Sequence, residues 1–432
     1  MSCYHKLVCV LFMVLSFGPL IGALCPLGEE MVIKKSPEAC GAMPLAFVIL
    51  GEKNGIYEPI LATVCADMQQ SGQVSCTRFN FAQLPAKAYV HDVLSSKFAL
   101  MLVISPSSSG FEWWLYDTFG GYCLSGQRER IAQGSIEKLG HKETRAYAHA
   151  LSHAIWRQLM SEDSCFGSRI LFVTKQQKAK KTFATSEIFC CDFDGENRML
   201  VYRAPGIVVA PLWNTCAPKP TVIFSEFTNT NVRFSQIILG ELYPSTLFDL
   251  EGTSVGIAFP RTAAIKDPVY CRSGALWRYS YDVGKKKSMH TCVVKEHGAC
   301  ASPSQTEDGS IVYCVSGKIK MSGMDGRMRQ VLVGDRYAVA PSYCPKNHLI
   351  VYSARIKGVM QLCLYDLKKR TSRQITFDRG DKIDPCWSPC GTFVAFTLES
   401  GTQSRIAVQS MMSGVRYFVS GVGEQCSYPS WG

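Results

Sequence analysis

Several signatures of chemistry are missing from these 432 residues. No Cys-x-x-Cys pair occurs, so the close thiolate spacing of a zinc site is absent. No Gly-x-Ser-x-Gly elbow occurs either. Pro106-Ser-Ser-Ser-Gly110 lacks the first glycine, which excludes the strained serine turn of the α/β-hydrolases. A Ser-x-Asp-x-Gly-x-x-Trp box of the sialidase sort is also missing, because Asp308-Gly309 runs on into Ser-Ile-Val. Acidic residues are few against basic ones, 35 to 46, for a net charge of +11. That excess does not make a nucleic-acid binder, since no aromatic–basic binding element accompanies it. The basic runs Lys175–Lys181, Lys285–Lys287 and Lys368–Arg370 fall between predicted strands and read as solvated hairpin tips. Acidic partners or an anionic envelope surface remain compatible with the charge. After the first two dozen residues no apolar stretch is long enough to span a bilayer.

What is present begins with a leader. Lys6 precedes the apolar run Leu7–Phe17, and small residues lead to Gly22-Ala23. This predicts a signal peptide over residues 1–23, cleaved after Ala23, and an exported mature chain. The rival is a lipid anchor on Cys25, against which stands Leu24, too bulky for the usual processing site. The sequence holds 20 cysteines, of which Cys3 and Cys9 leave with the leader. An oxidising compartment permits disulfides. Several cysteines nevertheless occupy strand positions that read as small buried hydrophobes, and spacing does not reveal pairing.

A cassette recurs in the C-terminal part: Pro, any residue, an aromatic, a turn pair, then an apolar strand. Its copies begin at Pro211, Pro303, Pro341, Pro385 and Pro429, with intervals of 92, 38, 44 and 44 residues. The first interval is two periods, and Gly256-Ile-Ala-Phe259-Pro260 is the degenerate copy between. Turn pairs such as Asp308-Gly309 and Cys390-Gly391 suit tight hairpins. Strand-rich self-similarity at this period predicts a WD40-like β-propeller. Counting from Ser168 yields six units. The first lacks its opening strand, and Ser427–Trp431 supplies it, closing the ring and removing the sheet edges. In the aligned units Cys314 is placed where Tyr352 and Phe396 stand.

Residues 45–163 alternate strand and helix, predicting a small α/β domain, with 164–432 as the propeller and 24–44 as an extended segment. Strands are expected at Leu45–Leu50, Val74–Asn80 and Ala99–Ile104, and a hairpin across Gly120-Gly121. A helix is expected over Ile60–Met68. A second runs from Thr144, as N-cap, to Met160, with Tyr147, Ala150, Leu151, Ala154, Ile155 and Leu159 as its apolar face. His149 and His153 lie one turn apart on it. Such a pair suits zinc, but no Glu follows His149 and no third ligand is near, so helix packing is expected and no metal or other cofactor.

Signal peptide, α/β domain and a six-unit propeller ending in Pro-x-Trp together resemble the TolB family. The resemblance extends to the helix Tyr147–Ile155, to Ser168–Val173, to Asp192-Phe-Asp194-Gly195 and to Tyr202-Arg203. It departs in its many cysteines and in turns where Ser-Pro-Asp-Gly is incomplete. The resemblance implies a monomeric, non-enzymatic periplasmic protein of the Tol-Pal system, serving envelope integrity and cell division. It implies binding of the lipoprotein Pal at the propeller mouth through loops preceding the repeated proline, here carrying Ala210, Gly256, Ser302, Ala340 and Asp384. It implies binding of TolA by the N-terminal segment, here Leu24, Cys25, Pro26 and Leu27 and the residues that follow. The alternative is an exported glycan-cleaving propeller, which would need carboxylates or histidines converging in the funnel.

Overall fold

The computed structural model describes residues 42–432, except 52–56, 87–88, 108, 120–122, 131–139, 177–184, 228–231, 249–253, 261–266, 283 and 285–286. The expected leader and nearly all of the segment after it, with Leu24, Cys25, Pro26 and Leu27, lie outside the described residues, as do the glycine turn at 120–121 and most of the first basic run. The chain divides into two compact units. One comprises residues 1–167 and 410–415, the other 168–409 and 416–432.

The first unit is built on a five-stranded sheet. β1 (Met43–Leu50) lies between β2 (Val74–Phe81) and β3 (Leu100–Ser107), parallel to both. β4 (Gly110–Asp117) and β5 (Cys123–Arg130) extend the sheet in antiparallel fashion, giving the order β2-β1-β3-β4-β5. The run Leu45–Val48 is wholly buried, as expected of a central parallel strand covered on both faces. Two helices, α1 (Glu58–Gln70) and α2 (His141–Met160), pack against each other.

Helix α2 differs from its sequence reading in two respects. Gly140 is the N-cap, and Thr144 lies inside the first turn, where its hydroxyl donates back to the Gly140 carbonyl at 2.8 Å. The buried stripe is also rotated: His149, Ser152 and Trp156 face inward while Ala150 is exposed. The cause is polar. Asp67 on α1 is completely buried, and its Oδ2 lies 2.9 Å from His149 Nδ1. A buried carboxylate needs such a partner, so the histidine turns in and the alanine turns out.

The second unit is six four-stranded antiparallel sheets. The terminal strand Cys426–Trp431 is the innermost strand of the sheet that begins with Arg169–Gln176, pairing Ser427 with Val173 and Trp431 with Ile170. Gly432 and Arg169 exchange two backbone hydrogen bonds of 3.0 and 2.8 Å, and the Trp431 indole donates to Ser168 Oγ at 2.7 Å. The ring is closed.

The cassette now has a physical explanation. Its third residue reaches sideways to the neighbouring blade. The Trp387 indole donates to the Ser342 carbonyl at 3.0 Å, and Gln305, standing where an aromatic would, donates to the Ala258 carbonyl at 2.9 Å. Tyr343 is tied by its backbone N–H to Ser304 Oγ at 3.1 Å. The aligned position in the second strand also needs correcting. Tyr313, not Cys314, is the counterpart of Tyr352 and Phe396, because each lies opposite the irregularity in its inner strand. The turn before Tyr313 is one residue shorter than in the sister units, which displaced the alignment.

Trp431 is 4% exposed and packs against Phe393. Replacing it with alanine should lower unfolding stability by about 3 to 5 kcal/mol, read from the denaturation midpoint. Ser168→Ala, removing one hydrogen bond, should cost about 1 kcal/mol. Equal stability of Trp431→Ala and wild type would show that the last strand does not hold the ring.

Candidate functional site

Each innermost strand carries the same defect. In five blades two residues oppose one: Ala210-Pro211 opposite Phe224, Ser302-Pro303 opposite Tyr313, Ala340-Pro341 opposite Tyr352, Asp384-Pro385 opposite Phe396, and Tyr428-Pro429 opposite Phe172. These are β-bulges. The first residue of each pair is left-handed, with φ of 51° at Ala210, Ala340 and Asp384, 49° at Ser302 and 56° at Tyr428. The opposing aromatic is completely buried in every case. In the sixth blade the irregularity falls at Val255-Gly256, opposite Cys271, with Gly256 at φ 87°. Left-handed backbone costs about 1 kcal/mol or more in residues other than glycine. Five such residues in register mark a strained ring held by the packing behind it.

Ala210, Gly256, Ser302, Ala340 and Asp384 were expected on loops. They lie instead within strands, at these bulges, and they line one central cavity of about 320 Å³. Tyr428 is the sixth member, missed in the sequence although Pro429 marks its place. Most of the rest of the wall comes from the inner strands, with prolines, small residues, apolar side chains such as Leu212 and Ile257, and Trp213 and Trp431. Among the described residues, Asp384 is the one carboxylate in that lining, and no histidine, lysine or arginine lines it.

Asp384 keeps partial exposure to the cavity, yet protein surrounds it. Burial lifts its carboxyl to about 6, the like charge of Glu399 adds to the rise, and Lys175 opposes it. The Tyr428 phenol beside it is raised mainly by burial, then by the charges of Asp384 and Glu399. A lone carboxylate among neutral groups can accept hydrogen bonds or meet a cation.

The connections from the outer strand of one blade to the inner strand of the next form a rim that sequence reading also missed. Ile207, Tyr337, Phe377 and Val422 stand exposed there, Phe377 at 76% and Val422 at 78%. The Phe377 loop is stiffened from beneath. Lys382, with its side chain fully buried, donates to the carbonyls of Arg379 and Gly380 at 3.1 and 2.9 Å and meets Asp378 at 3.2 Å. Arg416 grips the Asp378 carboxylate through two bonds of 2.7 and 3.2 Å. Burial would raise Asp378, but the hydrogen bonds and charge of Arg416 bring it down to about 2.

The histidine pair on α2 does not converge. His149 engages Asp67, while His153 Nδ1 lies 2.9 Å from Ser164 Oγ. Of the sixteen cysteines in the described residues, eleven are buried. Burial pushes Cys190 up to about 12 and Cys271 up to about 11, so these thiols stay protonated and inert.

The family model described as the TolB beta propeller domain matches residues 156–432. Two curated relatives, each named Tol-Pal system protein TolB, are similar to part of the chain. The one from Methylococcus capsulatus is 22% identical over 228 residues, 51% of this chain and 51% of the relative. The one from Albidiferax ferrireducens is 23% identical over 203 residues, 45% of this chain and 44% of the relative. The chain thus spans about half the length of the curated relatives it matches. The crystal structure of TolB from Acinetobacter baumannii is similar with a TM-score of 0.73 at 18% identity, covering 90% of this chain and 96% of that one. At that identity the likeness is one of fold.

Asp384 makes stability depend on pH. Its folded carboxyl titrates near 6 against an ordinary 3.8, so folding favours the protonated form. The benefit is complete below pH 3.8 and is lost as pH rises through 6. Asp384→Asn should therefore match wild type at pH 3.5 and exceed it by on the order of 2 kcal/mol above pH 6.5. Thermal unfolding across that range measures it. A constant difference at all pH values would contradict the assignment.

Proposed function

The chain belongs to the TolB β-propeller domain family, and from that premise we propose that it is a non-enzymatic periplasmic component of a Tol-Pal system. In this reading its propeller mouth docks the lipoprotein Pal, and it serves envelope integrity and cell division. The observation that carries the proposal is the mouth itself. Strained residues in register and an apolar rim with one stiffened loop present a preformed concave surface, with the poorly solvated carboxylate of Asp384 in its wall. A rigid surface spares the ordering cost of binding, and exposed aromatics near a desolvated centre are what protein interfaces use as anchors. The names of the curated relatives support the same system. The segment Leu24, Cys25, Pro26, Leu27 and onward is proposed as the contact for a TolA-type inner-membrane protein.

The test is direct capture. Immobilised protein should retain purified Pal from the same source, measured by surface plasmon resonance. Asp384→Lys and Phe377→Asp should each weaken binding about tenfold or more, a loss of about 1.4 kcal/mol. Arg327→Glu, in a turn at the opposite ends of the strands, should change it less than twofold. No binding, or equal loss in all three variants, would reject the mouth as the Pal site.

A further inference from the structure

Two cysteines differ from the buried, inert majority. On α1, Glu58, Leu61, Cys65 and Gln69 follow one another at three- or four-residue steps and so share one face. On β2, Cys76 and Arg78 are two residues apart and also share a face. These faces meet. Arg78 Nη1 and Nη2 donate to the Glu58 carboxylate at 2.8 and 3.0 Å. Gln69 Nε2 donates to the Cys76 carbonyl at 3.2 Å. Cys65 and Cys76 lie between these two ties, and each shifts the ionisation of the other. The two cysteines are thus neighbours across the helix–strand seam, with a polar contact on either side.

We propose that Cys65 and Cys76 are a redox pair that closes to a disulfide when the folded chain meets a disulfide oxidant, clamping α1 to the edge strand β2. The electrostatics favour the chemistry. The Cys76 S–H lowers the Cys65 thiol most; burial opposes this, and Arg78 adds to the lowering. Cys76 is raised, chiefly by donating to Cys65 and then by burial. The first thiolate therefore forms on Cys65, and Cys76 keeps its proton.

Access decides the order of events. Cys65 is buried and Cys76 is partly exposed, so an external disulfide RS–SR enters at Cys76. The Cys65 thiolate takes the proton of Cys76 as the oxidant arrives, and the Cys76 sulfur attacks one sulfur of RS–SR. The RS–SR bond breaks, and the departing RS⁻ takes a proton to become RSH. Cys65 then loses its proton and attacks the Cys76 sulfur, forming the internal bond and expelling the second RS⁻, which becomes RSH. Two electrons and two protons pass to the oxidant. Among the described residues β2 ends the sheet, so the product fastens a strand paired on one side only.

The experiment equilibrates the folded chain with oxidised and reduced glutathione, alkylates free thiols and digests with trypsin. No lysine or arginine lies between Lys53 and Arg78, so one peptide, 54–78, holds both cysteines. The expected result is a peptide lighter by two hydrogens and unalkylated, restored by dithiothreitol. Amide exchange in α1 and β2 should slow several-fold on oxidation. Cys65→Ser should leave Cys76 carrying a glutathione instead. The proposal is overturned if both cysteines are alkylated, if each carries its own glutathione, or if either pairs with a third cysteine. It is equally overturned if closure is as extensive in urea as in the folded chain, because the fold would then contribute nothing.

Discussion

The propeller depends on one pairing, that of its last strand with its first sheet. Until Cys426–Trp431 lies against Arg169–Gln176, the sheet begun by Arg169 has an open edge and the ring has an open seam. Open edges are costly and prone to aggregate, and the contact joins residues more than 250 positions apart. Such a closure carries a loop-entropy cost that must be overcome before the contact rewards it. The indole of Trp431 and the paired backbone of Gly432 and Arg169 fasten the seam.

Closure brings the six inner strands around one bore, and the bulges then acquire meaning together. A single left-handed alanine before a proline would be a local oddity. Five non-glycine residues in that state, each backed by a buried aromatic, describe a ring whose strain is shared and restrained by packing. The proline excludes helical backbone before it, and the aromatic opposite fills the space the bulge opens. The mouth is consequently shaped by the backbone more than by side chains, and the one carboxylate within it is poorly solvated for the same reason.

The cysteines divide by environment rather than by spacing. Most are enclosed by apolar strands, where the thiolate is disfavoured. Cys65 and Cys76 instead face each other across a helix–strand seam with a guanidinium close by. Nothing in their eleven-residue separation distinguishes them from other pairs in the sequence. The same holds for His149, for which the sequence predicted helix packing but not its partner, a carboxylate on another helix.

The amino-acid order alone determined the six-unit propeller, its closure by the final Pro-x-Trp strand and the α/β character of the front unit, because these follow from periodicity and turn chemistry carried within each unit. It also marked the residues before each proline. Only the tertiary structure decided that those residues sit in strands rather than loops, that their backbone is left-handed and that Tyr428 completes the set. A bulge is defined by two residues facing one, and the one is on another strand. The rim of Ile207, Tyr337, Phe377 and Val422 was illegible for a related reason. Scattered apolar residues in loops read as noise until the ring gathers them at one end of the bore.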